Sequence, residues 1–228
     1  AKIEKVRRIS VSDQRQLHIG IVGNKTHFSD QATESTVTVK YIEAELKKRG
    51  YQTTVFDFNN FDRAFAALKD SGVNLIFNVA EAINNNEQLK SQAVAFLESL
   101  QIPFTGSDSL TAALCEDKIR TKKLLSFHDI PMPAWDYLYS INDTVDKDLP
   151  YPLLVKPGNA ENSFGISNSS VVTNKKELGK QAKKIIEGLG RSVVVEEYIE
   201  GDEYDISIIG NSGDDLRVLP LSKSVFTK

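Results

Sequence analysis

Cys115 is the only cysteine among the 228 residues. An internal disulfide is therefore excluded, and a reducing compartment, the cytoplasm, fits best. No apolar run approaches the roughly 18 residues a membrane-spanning helix needs. A basic start followed by an apolar stretch and a small-residue cleavage site is also missing, so no secretory leader is expected. Charge of one sign is not in surplus either. The 28 Lys and Arg stand against 31 Asp and Glu for a formal net charge of -3, which argues against nucleic acid as a partner. His18, His27 and His128 are scattered without metal-ligand spacing, and neither a Ser-His-Asp nor a Cys-His constellation occurs. There is no internal repeat and no low-complexity segment. What remains is a chain that is 40% hydrophobic, enough for one substantial core or two small ones.

The hydrophobic pattern divides along the chain. Leu17–Gly23 is a short apolar run ending in glycine, as a buried parallel strand is. The pattern predicts a helix from Thr33 to Arg49 stopped by Gly50, a strand over Tyr51–Phe58, a helix over Phe61–Lys69 and a strand over Val73–Val79. This β-α-β-α-β order implies a doubly wound parallel sheet. Glu87–Leu100 extends it as a helix, and Pro103–Ser107 closes it with a short strand and turn. Ser109–Phe127 reads as one helix linking two domains, with Cys115 packed on its apolar face as a small hydrophobe. Prolines then punctuate an α+β region with a helix over Asn174–Leu189 and strands ending near Ile209.

One segment carries chemistry. Tyr151-Pro-Leu-Leu-Val-Lys-Pro157 is strand-like, ends in Lys156 and opens onto the small-residue polar loop Gly158-Asn-Ala-Glu-Asn-Ser-Phe-Gly-Ile166. A fixed cation beside flexible backbone amides suits a polyphosphate. Forty residues on, Val193-Val-Val-Glu-Glu-Tyr-Ile199 is a second buried strand ending in carboxylates, with Glu203 just beyond. Together they suggest an ATP site.

With these, Pro103-Phe-Thr-Gly-Ser-Asp108 and Leu114-Cys-Glu-Asp-Lys118 make the chain from about Val73 to Ile209 resemble the D-alanine–D-alanine ligase branch of the ATP-grasp superfamily. The resemblance implies an ATP-grasp fold: an N-terminal Rossmann-like domain over 1–107, a central ATP-binding domain over 108–203 and the start of a truncated C-terminal domain over 204–228. It also implies an ATP-dependent carbon–nitrogen ligase joining a carboxylate to an amine through an acyl phosphate, with small amino-acid substrates and a homodimeric assembly. By position, Lys118 and Lys156 reach the nucleotide phosphates and Ser163 donates from the phosphate loop. Glu196 stands beside the adenine amino group, Tyr198 and Ile199 are the hinge whose backbone reads the adenine edge, Glu197 belongs to the same nucleotide-binding set, and Glu203 holds the ribose.

Glu34 and Glu81 are the candidates for substrate contact. The chain departs from the family pattern at Glu161 and Asn162, where small residues are usual, and at Phe77–Asn86, which replaces a His-Gly segment. D-Alanine specificity is therefore not implied. Magnesium is expected from an Asp and a Glu-Xaa-Asn located, in the family, beyond the position of Lys228; no metal ligand is assigned here. The runner-up reading is a noncatalytic nucleotide-binding or scaffold protein of the same fold.

Overall fold

The computed structural model describes residues 10–14, 16–24, 33–160, 164–211 and 216–225. Packing separates two units. The first holds the described residues up to Asp129 together with Asn159 and Ala160, and the second holds Ile130 to Gly158 and the described residues from Phe164 onward.

The first unit follows the β-α-β-α-β order. After a helical turn, α1 (Val11–Gln14), come β1 (His18–Gly23), α2 (Thr33–Lys48), β2 (Gln52–Asp57), α3 (Phe61–Lys69), β3 (Leu75–Val79) and α4 (Lys90–Ser99). The strands form a parallel sheet in the order β2-β1-β3. Ile21 lies opposite both Val55 and Phe77, and Phe104 bridges in parallel to Ile76 beyond β3. Ile19, Ile21 and Val22 of β1 are all buried, so both faces of the central strand are covered, as a parallel sheet requires. Phe61, Ala64 and Leu68 recur at helical spacing on the buried side of α3 and join Phe56, Phe58, Ile76 and Leu97 in one core. At the end of β1 the packing leaves no room for a side chain. A Cβ on Gly23 would come 2.5 Å from Val39 Cγ2 and 3.2 Å from Val79 Cγ2.

The expected single helix over Ser109–Phe127 is two: α5 (Ser109–Glu116) and α6 (Lys118–Phe127). Asp117 breaks it with an extended backbone, φ -106 and ψ 95, and its carboxylate accepts from the Arg120 N–H as the N-cap of α6. A short side-chain acceptor that satisfies the first turn of a new helix competes well with continuing the old one. Cys115, expected to pack as a core residue, is exposed on α5. Both helices group with the first unit.

The second unit contains β4 (Trp135–Leu138), β5 (Leu153–Pro157), β6 (Val171–Val172), α7 (Lys175–Lys183) and β7 (Val193–Glu197). Its sheet is antiparallel throughout, in the order β4-β7-β5-β6. The helix expected to reach Leu189 is regular only to Lys183 and continues as a π-helical turn, Lys184–Gly188. Leu178, Ala182 and Ile185 cover one face of the sheet, packing with Leu138, Leu153, Val155, Val193 and Val195. Downstream, β8 (Tyr204–Asp205) pairs with β11 (Ser222–Lys223), and β9 (Ile208–Ile209) with β10 (Arg217–Val218).

Candidate functional site

Alternation sets the second face of the antiparallel sheet. Leu153 and Val155 of β5 are buried in the core, so Leu154 and Lys156 point to the other side. In the register, Leu154 lies opposite Glu196 and Lys156 opposite Val194. Lys156 and Glu196 are thus diagonal neighbours, a separation that long side chains bridge. Their ammonium and carboxylate form an ion pair. Only 18% of the Lys156 side chain and 9% of the Glu196 side chain are exposed, so each charge offsets much of the other's desolvation. Trp135 and Tyr137 of β4, opposite Glu196 and Val194, bring two rings to the same face with centroids 6.0 Å apart. The face therefore combines flat apolar surface, one cation and one anion, a set suited to an aromatic base attached to phosphate.

The strand leads out of this face into backbone well placed for further contacts. Glu197 lies on the core side of β7 by alternation, and its N–H donates to the Ala134 carbonyl at 2.8 Å. The Tyr198 N–H donates to the Pro152 carbonyl at 3.0 Å. Ile199 is exposed, and among the described residues no acceptor meets its N–H. Glu203 is exposed just before β8, and its carbonyl accepts from the Ser224 N–H at 2.9 Å. Beyond β5, Gly165 lies back against Pro157 and Leu189. Gly165 sits at φ 77, where a Cβ would come 2.9 Å from Pro157 Cγ and 3.0 Å from Leu189 Cδ1. Ser163 lies outside the described residues.

In the first unit, Lys118 is the first residue of α6, half-buried, and its Nζ donates to the Ala160 carbonyl. The break at Asp117 makes it the residue directly after the N-cap of α6. The structure thus brings Lys156 and Glu196 together and joins Lys118 to a residue of the polar loop. Glu34 falls in the first turn of α2, with its side chain outside the described residues.

Glu81 stands just beyond the carboxyl end of β3, half-buried. Its position depends on Asn24, which follows β1 and is completely buried. Asn24 Oδ1 accepts from the N–H groups of Glu81 at 2.8 Å and Ala82 at 3.1 Å. Its Nδ2 donates to Asn59 Oδ1 at 2.6 Å and to the Ala82 carbonyl at 3.1 Å. One side chain thereby ties the ends of β1 and β3 together. Sequence reasoning passed over Asn24, and a polar residue directly after a buried strand ending in glycine was the available signal. Among the described residues no three His, Cys, Asp or Glu side chains gather as a cation site, so the described residues do not fit a magnesium site and no step is assigned to one.

The family described as "D-ala D-ala ligase C-terminus" matches residues 124–228. The chain is 32% identical over 147 residues to the uncharacterized protein y4sG of Sinorhizobium fredii, covering 64% of this chain and 42% of that protein. It is 33% identical over 189 residues to the D-alanine–D-alanine ligase of Carboxydothermus hydrogenoformans, covering 79% of this chain and 57% of that protein. Its fold matches the crystal structure of the Bacillus anthracis D-alanine–D-alanine ligase complexed with ATP at a TM-score of 0.67 and 25% identity, over 89% of this chain and 70% of that one. The chain thus spans about half the length of the curated relatives it matches.

Proposed function

We propose that the chain, which is similar in sequence and fold to D-alanine–D-alanine ligases, acts as an ATP-dependent ligase joining the carboxylate of one small molecule to the amine of another. A carboxylate oxygen attacks the terminal phosphorus of ATP and ADP leaves. The amine, having given up a proton, then attacks the acyl carbon and inorganic phosphate leaves. No covalent enzyme nucleophile is needed, and the protein's contribution is positioning and charge stabilisation.

The observation that carries this reading is the ion pair of Lys156 with Glu196 on a largely buried sheet face. Lys156 acts as a mobile point charge toward the phosphates, while Glu196 holds it in place and accepts from the adenine amino group. Glu197, through its carbonyl, and Ile199, through its N–H, read the adenine edge; Tyr198 spaces them. Glu203 binds the ribose hydroxyls, and Lys118 and Ser163 add phosphate contacts. Closure of the loop that contains Ser163 keeps water from the acyl phosphate. On this reading the functional divisions are 1–107, 108–203 and 204–228, the site of action is the cytoplasm, and the assembly is a homodimer.

Calorimetric titration with ATP tests the reading. Lys156→Ala weakens binding at least about tenfold, equivalent to about 1.4 kcal/mol, while thermal melts verify that the variant is folded. Unchanged affinity in a folded variant rejects the phosphate contact. Phosphate release that requires an added amino acid identifies a ligase, and ATP binding without such release rejects ligase activity for this chain.

A further inference from the structure

The helix that covers the second unit's sheet has an outer face of one charge. Leu178, Ala182 and Ile185 turn one side of α7 and its π-helical extension into the core. On the opposite side Lys176, Lys180 and Lys183 recur at spacings of four and three, with Lys175 and Lys184 on their flanks, and all five are exposed. Parts of this stripe work against the helix. Lys175 and Lys176 occupy the first turn, where the helix dipole opposes a cation. Lys180 has like charges three and four residues away, at Lys176, Lys183 and Lys184, and side chains at those spacings repel. Glu187 pairs with Lys183 at 3.7 Å, but among the described residues the other four lysines form no ion pair. Glu177, the remaining acid of the helix, accepts from the Thr173 N–H at 2.8 Å and the Thr173 hydroxyl at 3.0 Å. The concentration is local, since the chain as a whole has a formal net charge of -3.

A face kept cationic at some cost to its own helix is complementary to an anionic partner, and we infer that it docks the protein on an anionic lipid surface. Its composition separates that partner from other polyanions. Between Lys175 and Lys184 the cations are all lysines, point charges without the fork of arginine, and no Arg, Asn or aromatic residue stands among them to read base edges or stack on bases. The apolar residues of this stretch, Leu178 and Ala182, are buried, so an acidic peptide would find no apolar anchor there. A layer of lipid headgroups needs neither, because it meets diffuse positive charge with many mobile anions. The apolar side of α7 is already packed in the core, so the contact is adsorption without insertion. Lys156 and Glu196 lie on the sheet face that α7 does not cover, and docking therefore leaves the nucleotide face turned away from the lipid.

Co-sedimentation with vesicles of mixed phosphatidylglycerol and phosphatidylcholine, set against vesicles of phosphatidylcholine alone, tests the docking. Binding is expected to the anionic vesicles only, and to disappear near about 1 M salt, where charges are screened within about 3 Å. Each lysine near such a surface strengthens adsorption about fivefold. Lys176→Gln, Lys180→Gln and Lys184→Gln combined should therefore bind about a hundredfold more weakly, while the three matching Arg substitutions keep the binding. Because the Gln variant loses like-charge repulsion, it should melt no lower than the unsubstituted protein, which verifies that it is folded. Equal binding to neutral and anionic vesicles overturns the assignment, as does undiminished binding by the Gln variant. Binding to poly-L-glutamate or to duplex DNA without binding to anionic vesicles also overturns it. None of these readouts involves ATP, so the docking and the ligase reading stand or fall separately.

Discussion

In the first unit the parallel sheet offers its polar chemistry beyond the strand ends, at Asn24 and Glu81, whereas in the second the antiparallel sheet carries Lys156 and Glu196 within the strands themselves. Burial explains the contrast. Ile19, Ile21 and Val22 are consecutive or alternate residues of β1 and all are buried, so neither face of that strand can take an ion. In β5, buried and half-buried residues alternate, and the half-buried side has room for a charge. A parallel sheet covered on both faces therefore concentrates function in loops, and its geometry depends on hydrogen bonds that hold those loops. An antiparallel sheet with one less enclosed face can hold function on its rigid strands, and there the geometry follows from register.

The largest expected effect comes from putting a charge on the wrong face. Val155→Asp, one residue from Lys156 but wholly buried, should destabilise the protein by about 4 kcal/mol or more, measured by urea unfolding. A small loss would show that the two faces of β5 are not distinct environments. Next comes the loop anchor of the first unit. Asn24→Ala leaves the N–H groups of Glu81 and Ala82 without their acceptor, for about 2–4 kcal/mol. If the cost is below about 1 kcal/mol, strand-end geometry does not depend on that side chain.

Asp117→Ala removes the N-cap of α6 and should cost about 1 kcal/mol, again by urea unfolding, with weaker ATP binding if Lys118 loses its place. The smallest effect is a pH dependence at Asp108, whose carboxylate accepts from the Thr111 N–H at 2.7 Å. That backbone bond holds its pKa below the ordinary value. A lowered folded pKa gives stability that is complete above the unfolded pKa and disappears as pH falls through the folded one. On acidification the melting temperature of the unsubstituted protein should therefore fall more than that of Asp108→Asn. Parallel curves would remove this linkage.

Much of the first unit was legible because its signals are local. The Phe61–Lys69 helix coincides with α3, since Phe61, Ala64 and Leu68 fall on one face and Asp70 follows it. The break at Asp117 was not, because an apolar helical period runs through Ser109–Phe127 and one capping carboxylate overrides it. Cys115 was misplaced for a related reason. Its face of α5 has the composition of a core stripe, yet it borders a cavity instead of packing into one. The sequence also identified Lys156 and Glu196 separately, through strand-like runs ending in charge. That they pair was not legible, since it depends on a register between segments forty residues apart.

That pairing also limits how β5 and β7 can be assembled incorrectly. A slip of one residue would turn Lys156 toward Leu178 and Ile185, and burial rejects it. A slip of two residues would keep every side chain on its own face, so the inside–outside pattern alone does not detect it. In the direction that sets Lys156 opposite Ser192 instead of Val194, the slip carries its ammonium away from Glu196, and each ion would be desolvated without its counterpart. The side chains proposed to receive the nucleotide thus also serve as a proofreading mark, by which the folding chain tells its correct strand alignment from its nearest counterfeit.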